Sequence, residues 1–279
     1  MGTELMDRGL KMPLPLWSAD TNITDPEVVK AVHIDYVNAG ADIIGTNTFR
    51  TTTWTYRKVG LSHKASQNRA RSSLMKAVDL ARESNPKILG ASLTSIEDCY
   101  DPSLYPGRSI TEDTYGENIN WFLDAGVDVI LFETMGHIEE IEIALETVKN
   151  LNHKIWLSLI MRDKDHILSG HNINDVFKLA SKNVDCLMLN CNSIAKTNET
   201  LELMQNNWGN NWGVYPNLGF SEPVPAAITI PNCVKDADFK KTIFKYLKMN
   251  PKIIGSCCGS SPIHIKMIKE ITEKLFSSD

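Results

Sequence analysis

Six cysteines occur in the 279-residue chain: Cys99, Cys186, Cys191, Cys233, Cys257 and Cys258. Three of them stand where chemistry is done in parallel α/β folds. Cys191 follows an apolar run that ends at Asn190, and Cys257 and Cys258 follow another that ends at Ser256. In a parallel barrel every strand ends at one rim, and that rim carries the active site. Thiols distant in sequence can therefore meet there. Neighbouring cysteines such as Cys257 and Cys258 make a poor disulfide, because bridging them strains the intervening peptide. Three thiolates around one point suit zinc, and three protein ligands leave one tetrahedral position free for a reactant. Gly255 and Gly259 bracket the pair and permit an unusual backbone path. Cys99, Cys186 and Cys233 read as small apolar or incidental residues. A closed four-cysteine structural site recruiting Cys186 or Cys233 is the rival arrangement.

The elements that must position these thiols are visible as a rhythm. Short apolar, β-rich runs at residues 41–46, 87–93, 127–132, 154–160, 185–190, 212–216 and 252–256 alternate with amphipathic stretches. Near-continuous apolar runs mark strands buried on both faces, as in parallel sheets. One helix is predicted from Asp25 as N-cap and Pro26 as first residue, with Val28, Val29, Val32 and Tyr36 on one face and Gly40 at its end. A second is predicted over residues 138–148. A third begins at Ser261-Pro262 and carries a stripe of Ile263, Met267, Ile268, Ile271 and Leu275. Gly40 and Gly126 fit helix C-caps rather than a phosphate cradle.

The pattern predicts a single α/β domain over residues 1–279, a (β/α)₈ TIM-type barrel whose first strand is missing or atypical, with an open doubly wound sheet as the rival. Residues 1–18 hold no convincing strand, since Leu14-Pro15-Leu16-Trp17 is short and carries prolines. The proline-bearing stretch after Gly219 (Pro223, Pro225, Pro231) reads as a long rim loop.

Composition excludes several classes. With 29 basic and 34 acidic residues the net charge is −5, which offers no footprint for nucleic acid or an anionic membrane surface. No apolar run approaches the roughly 18 residues of a membrane span, and the first residues lack a secretory pattern. A cytoplasmic protein with reduced thiols is expected. No dinucleotide or Gly-Lys-Ser phosphate motif occurs.

The stretch Gly255-Ser256-Cys257-Cys258-Gly259-Ser260-Ser261-Pro262-Ile263-His264-Ile265 resembles the C-terminal zinc motif of the homocysteine S-methyltransferases. Other stretches resemble that family in its own order. They are Ala39-Gly40-Ala41-Asp42-Ile43-Ile44-Gly45-Thr46-Asn47-Thr48-Phe49, Gly126-Val127-Asp128-Val129-Ile130-Leu131-Phe132-Glu133-Thr134, Leu189-Asn190-Cys191 and Tyr215-Pro216-Asn217-Leu218-Gly219. Met1-Gly2-Thr3-Glu4-Leu5 resembles the segment just after the family's first strand, and the acidic residue that usually ends that strand has no counterpart in the sequence.

The resemblance implies a (β/α)₈ barrel with Zn²⁺ as cofactor and homocysteine and a methyl donor as small-molecule partners. Carried over by position, Cys191, Cys257 and Cys258 are the expected zinc ligands. Glu133 is expected to hold the substrate ammonium, with Asn47 and Thr48 on the rim beside it. A free thiol with a pKa of about 8.5 is mostly protonated at pH 7, and coordination to zinc makes it a thiolate. Three cysteine thiolates on Zn²⁺ give a net negative centre that keeps the sulfur nucleophilic. Sulfonium or quaternary ammonium donors (S-methylmethionine, S-adenosylmethionine, betaine, dimethylsulfoniopropionate) suit aromatic faces, for which Trp17, Phe49, Trp54, Tyr56, Tyr215 and Phe220 are candidates. His33 reads as surface or core filler on the helix after Pro26, and His264 reads as structural. His166, His171, Asp163 and Asp165 read as solvated loop residues. A zinc-binding barrel without turnover, acting as a binding or regulatory protein, is the alternative, and the oligomeric state stays open.

Overall fold

The computed structural model describes residues 1–219 and 231–276. Among them seven strands form one sheet: β1 (Ile43–Gly45), β2 (Ile88–Leu93), β3 (Val129–Met135), β4 (Lys154–Leu159), β5 (Cys186–Ser193), β6 (Trp212–Asn217) and β7 (Ile253–Ile254). All neighbouring pairs are parallel, and the spatial order is the chain order. A doubly wound sheet would reverse its order at a switch point; this one never does, and it curls as a barrel with one strand wanting. β1 and β7 are each paired on one side only among the described residues.

The helices are α1 (Gly2–Asp7), α2 (Thr21–Thr24), α3 (Pro26–Asn38), α4 (Thr53–Arg57), α5 (His63–Arg82), α6 (Arg108–Ala125), α7 (Ile138–Val148), α8 (Ile173–Ala180), α9 (Ile194–Asn207), α10 (Asp236–Lys248) and α11 (Pro262–Phe276). Asp25 is the N-cap of α3 with Pro26 in its first turn, although the Asp25 side chain accepts from the Thr24 hydroxyl rather than from the helix. Gly126 closes α6 in the left-handed conformation. The family-like opening residues form α1, and residues 14–17 turn without pairing. α3 and α11 touch across the unpaired edge of the sheet.

The period-2 alternation of a strand explains the continuous apolar runs. Val129, Leu131, Trp156, Cys186 and Met188 face inward with Ile43, Ile88, Tyr215 and Ile253 packed against them. Ile130, Phe132, Ile155, Leu157, Leu187, Leu189 and Val214 face outward into the main core beneath the helices. Both faces are therefore apolar, and specificity is left to the strand ends. Among the described residues no helix is long and apolar enough to cross a membrane.

Candidate metal centre

Cys191 lies near the end of β5, where the pairing with β6 shifts register between Asn190 and Ser193. Its φ of +54° is left-handed, so the strand kinks and the thiol turns onto the rim. Cys257 and Cys258 follow the two-residue strand β7, and three backbone hydrogen bonds fix them. The Cys257 N–H donates to the Pro216 carbonyl at 2.8 Å, the Leu218 N–H to the Cys258 carbonyl at 2.8 Å, and the Ser260 N–H to the Cys257 carbonyl at 3.2 Å. The glycine that the turn requires is Gly259. Its φ is +75°, and a Cβ there would lie 2.7 Å from the Gly219 nitrogen.

The three sulfurs gather within 4.8 Å of one another. Cys191 Sγ lies 3.5 Å from Cys258 Sγ, and Cys257 Sγ lies 4.0 Å from Cys258 Sγ. Cys191 and Cys257 are joined as a disulfide with their Cα atoms 5.5 Å apart. Arms of about 2.3 Å to a tetrahedral zinc place two sulfurs about 3.8 Å apart. The Cys258 spacings match that edge, so the set fits the ion once Cys191 and Cys257 are reduced. Burial pushes the Cys258 thiol up in pKa; without a cation it stays protonated, which is the environment in which a divalent metal would create the thiolate. Among the described residues no fourth cysteine joins the set. Cys186 sits at the opposite end of β5 in the inner apolar layer, with its thiol pushed up to about 12 by burial, and Cys233 is exposed.

The thiols open on a cavity of about 660 Å³ that runs into the barrel interior, a size typical of small-molecule sites. Glu133 lines it. The Ser92 hydroxyl donates to Glu133 Oε2 at 2.5 Å, which steers the carboxylate toward the space above the inner layer. The hydroxyls of Tyr215 and Ser256 are buried in the cavity wall with no hydrogen-bond partner among the described residues. Burial raises the Tyr215 phenol far above its ordinary pKa, and the nearby Glu133 carboxylate adds to the effect; it is a neutral donor at any working pH.

The sequence-predicted residues divide into two groups. Cys191, Cys257, Cys258, Glu133, Asn47, Trp17, Phe49 and Tyr215 line the cavity. Asn47 has its amide engaged, accepting from the Ser18 hydroxyl at 2.6 Å and donating to the Ser18 carbonyl and Asn22 Oδ1, so it fastens the rim to the segment before α3. Thr48 is buried with its hydroxyl donating to the Ser92 carbonyl at 2.6 Å, and it is absent from the cavity lining. Trp54 and Tyr56 turn away, donating to Glu97 and Asp20. Phe220, Pro223 and Pro225 lie outside the described residues. His166 closes on Asp163 and Asp165 away from the cavity, and His171 meets Ser169. His264 accepts from the Ser261 N–H at 3.0 Å at the start of α11. Sequence reasoning missed Ser92, Arg50, Asp98, Tyr100 and Trp156, which also line the cavity. Trp156 and Ser92 were hidden inside apolar runs, and Arg50, Asp98 and Tyr100 sit on the segments that follow β1 and β2, where the position alone was the available signal.

Comparisons with known proteins agree in one direction. The family model described as homocysteine S-methyltransferase matches residues 1–272. Homocysteine S-methyltransferase 2 of Zea mays is 27% identical, with 98% of this chain and 88% of that protein covered. Homocysteine S-methyltransferase of Escherichia coli (strain K12) is 28% identical, covering 96% of this chain and 92% of that protein. The crystal structure of the metallated form of the Escherichia coli homocysteine methyltransferase MmuM superposes with a TM-score of 0.82 at 24% identity, covering 97% of this chain and 93% of that one.

Proposed function

Because the chain belongs to the homocysteine S-methyltransferase family by a match across residues 1–272, we propose that it is an enzyme that transfers a methyl group from a small sulfonium or quaternary ammonium donor to L-homocysteine, giving methionine. The observation that carries this reading is the gathering of the Cys191, Cys257 and Cys258 sulfurs within 4.8 Å on a cavity that Glu133 also lines. Cys191, Cys257 and Cys258 would hold a zinc ion, which when bound supplies a lowered pKa for the substrate thiol.

The chain's own residues supply binding and alignment. Glu133, steadied by Ser92, takes the ammonium of homocysteine. Asn47 and Thr48 brace the rim beside it, and the Tyr215 and Ser256 hydroxyls offer donors for the substrate carboxylate. Trp17, Phe49, Tyr100, Trp156 and Tyr215 line the cavity and present apolar and aromatic surface to a cationic donor. The substrate thiol loses its proton to solvent. Its sulfur lone pair forms the new S–CH₃ bond as the donor's bond to that methyl breaks, and the electron pair leaves with the now neutral donor. Holding the two reactants in line is worth several kcal/mol of barrier. The reduced thiols this chemistry needs fit a reducing compartment such as the cytoplasm.

Reduced, zinc-replete protein incubated with L-homocysteine and each of S-methylmethionine, S-adenosylmethionine, betaine and dimethylsulfoniopropionate tests the proposal. Methionine formed with at least one onium donor, and lost when homocysteine is omitted, is the expected result. Zinc-loaded protein silent with all four would favour the binding or regulatory barrel.

A further inference from the structure

Two inward-leaning turns of the rim share an unusual backbone. Thr134 in β3 has φ +59° and Cys191 in β5 has φ +54°. Each sits at a shift in strand register, between Phe132 and Met135 in one case and Asn190 and Ser193 in the other. Left-handed φ is disfavoured for a β-branched residue such as threonine, so something must hold it. The side chain of Asn190, fully buried at 0% exposure, does so at two points. Its Oδ1 accepts from the Thr134 N–H at 3.1 Å, and its Nδ2 donates to Thr134 Oγ1 at 2.7 Å. The Ser158 hydroxyl also donates to Asn190 Oδ1, at 2.7 Å. On the far side of Cys191, Asn192 is equally committed. Its Oδ1 accepts from the Met161 N–H at 2.8 Å, and its Nδ2 donates to the Leu159 and Asn190 carbonyls at 3.1 Å. Cys191 is thus pinned between two asparagines, and the first also grips the residue next to Glu133.

We infer that Asn190 is a positioning residue: its amide clasps the turn that carries Glu133 to the turn that carries Cys191, so that carboxylate and thiol keep a fixed relation. The Glu133 half rests on the proposed function, whereas the Cys191 half concerns metal retention alone. The clasp differs from ordinary packing in what it asks of residue 134. Glycine and valine at position 134 both keep the N–H from which Asn190 accepts and both lose the oxygen to which it donates, so they differ in what they ask of the backbone: glycine adopts positive φ freely, whereas valine matches threonine in shape and resists the left-handed conformation.

The test compares Thr134→Gly, Thr134→Val and Asn190→Ala, with far-UV circular dichroism to establish folding. Titration of zinc-loaded protein with L-homocysteine should give Thr134→Val a Kd about tenfold or more weaker than that of Thr134→Gly, because only valine strains the left-handed turn. A packing role predicts the opposite order, because glycine leaves a void that valine fills. In substrate-free protein, Asn190→Ala should lose zinc to a competing chelator with affinity reduced about tenfold or more, the usual effect of removing a residue that orients a ligand. Thr134→Val binding like the parent, or Thr134→Gly binding more weakly than Thr134→Val, overturns the clasp. If the zinc-loaded parent does not bind homocysteine, the proposed function fails, and the chelator arm decides: zinc held by Asn190→Ala as tightly as by the parent overturns the inference. Should Asn190→Ala not fold, the two Thr134 variants decide the same question through homocysteine titration and zinc retention.

Discussion

The substitution Glu133→Gln removes one charge from the cavity and almost nothing else. Ser92 Oγ donates to Glu133 Oε2 at 2.5 Å, and a glutamine carbonyl oxygen can accept the same bond, so the side chain keeps its place and shape. What disappears is the charge-assisted hydrogen bond to the substrate ammonium. Such bonds contribute about 1.5–3 kcal/mol, which at about 1.4 kcal/mol per decade corresponds to a homocysteine Kd roughly ten- to a hundredfold weaker. Alanine at this position would confuse the result by opening space and leaving the Ser92 hydroxyl unpartnered. Calorimetric titration of the reduced, zinc-loaded protein measures the loss directly. A second ligand isolates its cause: 4-mercaptobutyrate keeps the thiol and carboxylate of homocysteine and lacks the ammonium. Parent and variant should bind it equally. A homocysteine Kd that moves less than about threefold, or an equal loss for both ligands, would refute the ammonium-binding role of Glu133.

Cys257→Ser should fold and lose zinc stoichiometry together with methionine formation; a variant with full activity would remove Cys257 from the metal set. His33, buried at 2% exposure with Nε2 unpartnered among the described residues, has its pKa pushed down to about 3 by burial and, second, by the nearby terminal ammonium. The folded state therefore refuses a proton that the unfolded chain takes below about pH 6.5, so stability is full above that pH and falls as pH drops toward 3. Between pH 7.5 and 5 the parent should lose about 2 kcal/mol more unfolding free energy than His33→Leu; parallel denaturant curves across that range would contradict the assignment.

Much of the fold was legible because the strands are buried on both faces. The run at 127–132 needed no alternation to be recognised, since Val129 and Leu131 fill the interior while Ile130 and Phe132 meet the helices. The three thiols were legible because strand ends in a parallel sheet share a rim. The supporting shell was less so. Asn190 reads in sequence as a polar residue ending a strand, and nothing local says that it reaches Thr134, 56 positions earlier. Thr48 stood beside Asn47 in the same motif, and only the turn after β1 decides that its hydroxyl goes to the Ser92 carbonyl while Asn47 lines the cavity. Hydrogen bonds between distant segments depend on register, which cannot be read from strands that are apolar on both faces and so lack the alternation that would mark it.

The placement of the cysteine pair poses a mechanical problem that the same network resolves. Cys257 and Cys258 follow β7, which among the described residues is the shortest strand and is paired on one side only. Edge strands open locally more easily than central ones, yet a ligand turn must hold its geometry to fractions of an ångström. The turn borrows rigidity from its inner neighbour: Pro216 and Leu218, at and beyond the end of β6, bond to the Cys257 N–H and the Cys258 carbonyl. From the other side the Gly259 N–H donates to Thr3 Oγ1 at 3.3 Å, fastening the turn to α1. β6 in turn pairs with β5, the strand that bears Cys191. The two halves of the metal set are therefore joined through the β5–β6 pairing, with the Asn190 clasp steadying the Cys191 half alone, and the site keeps its shape where the described sheet stops.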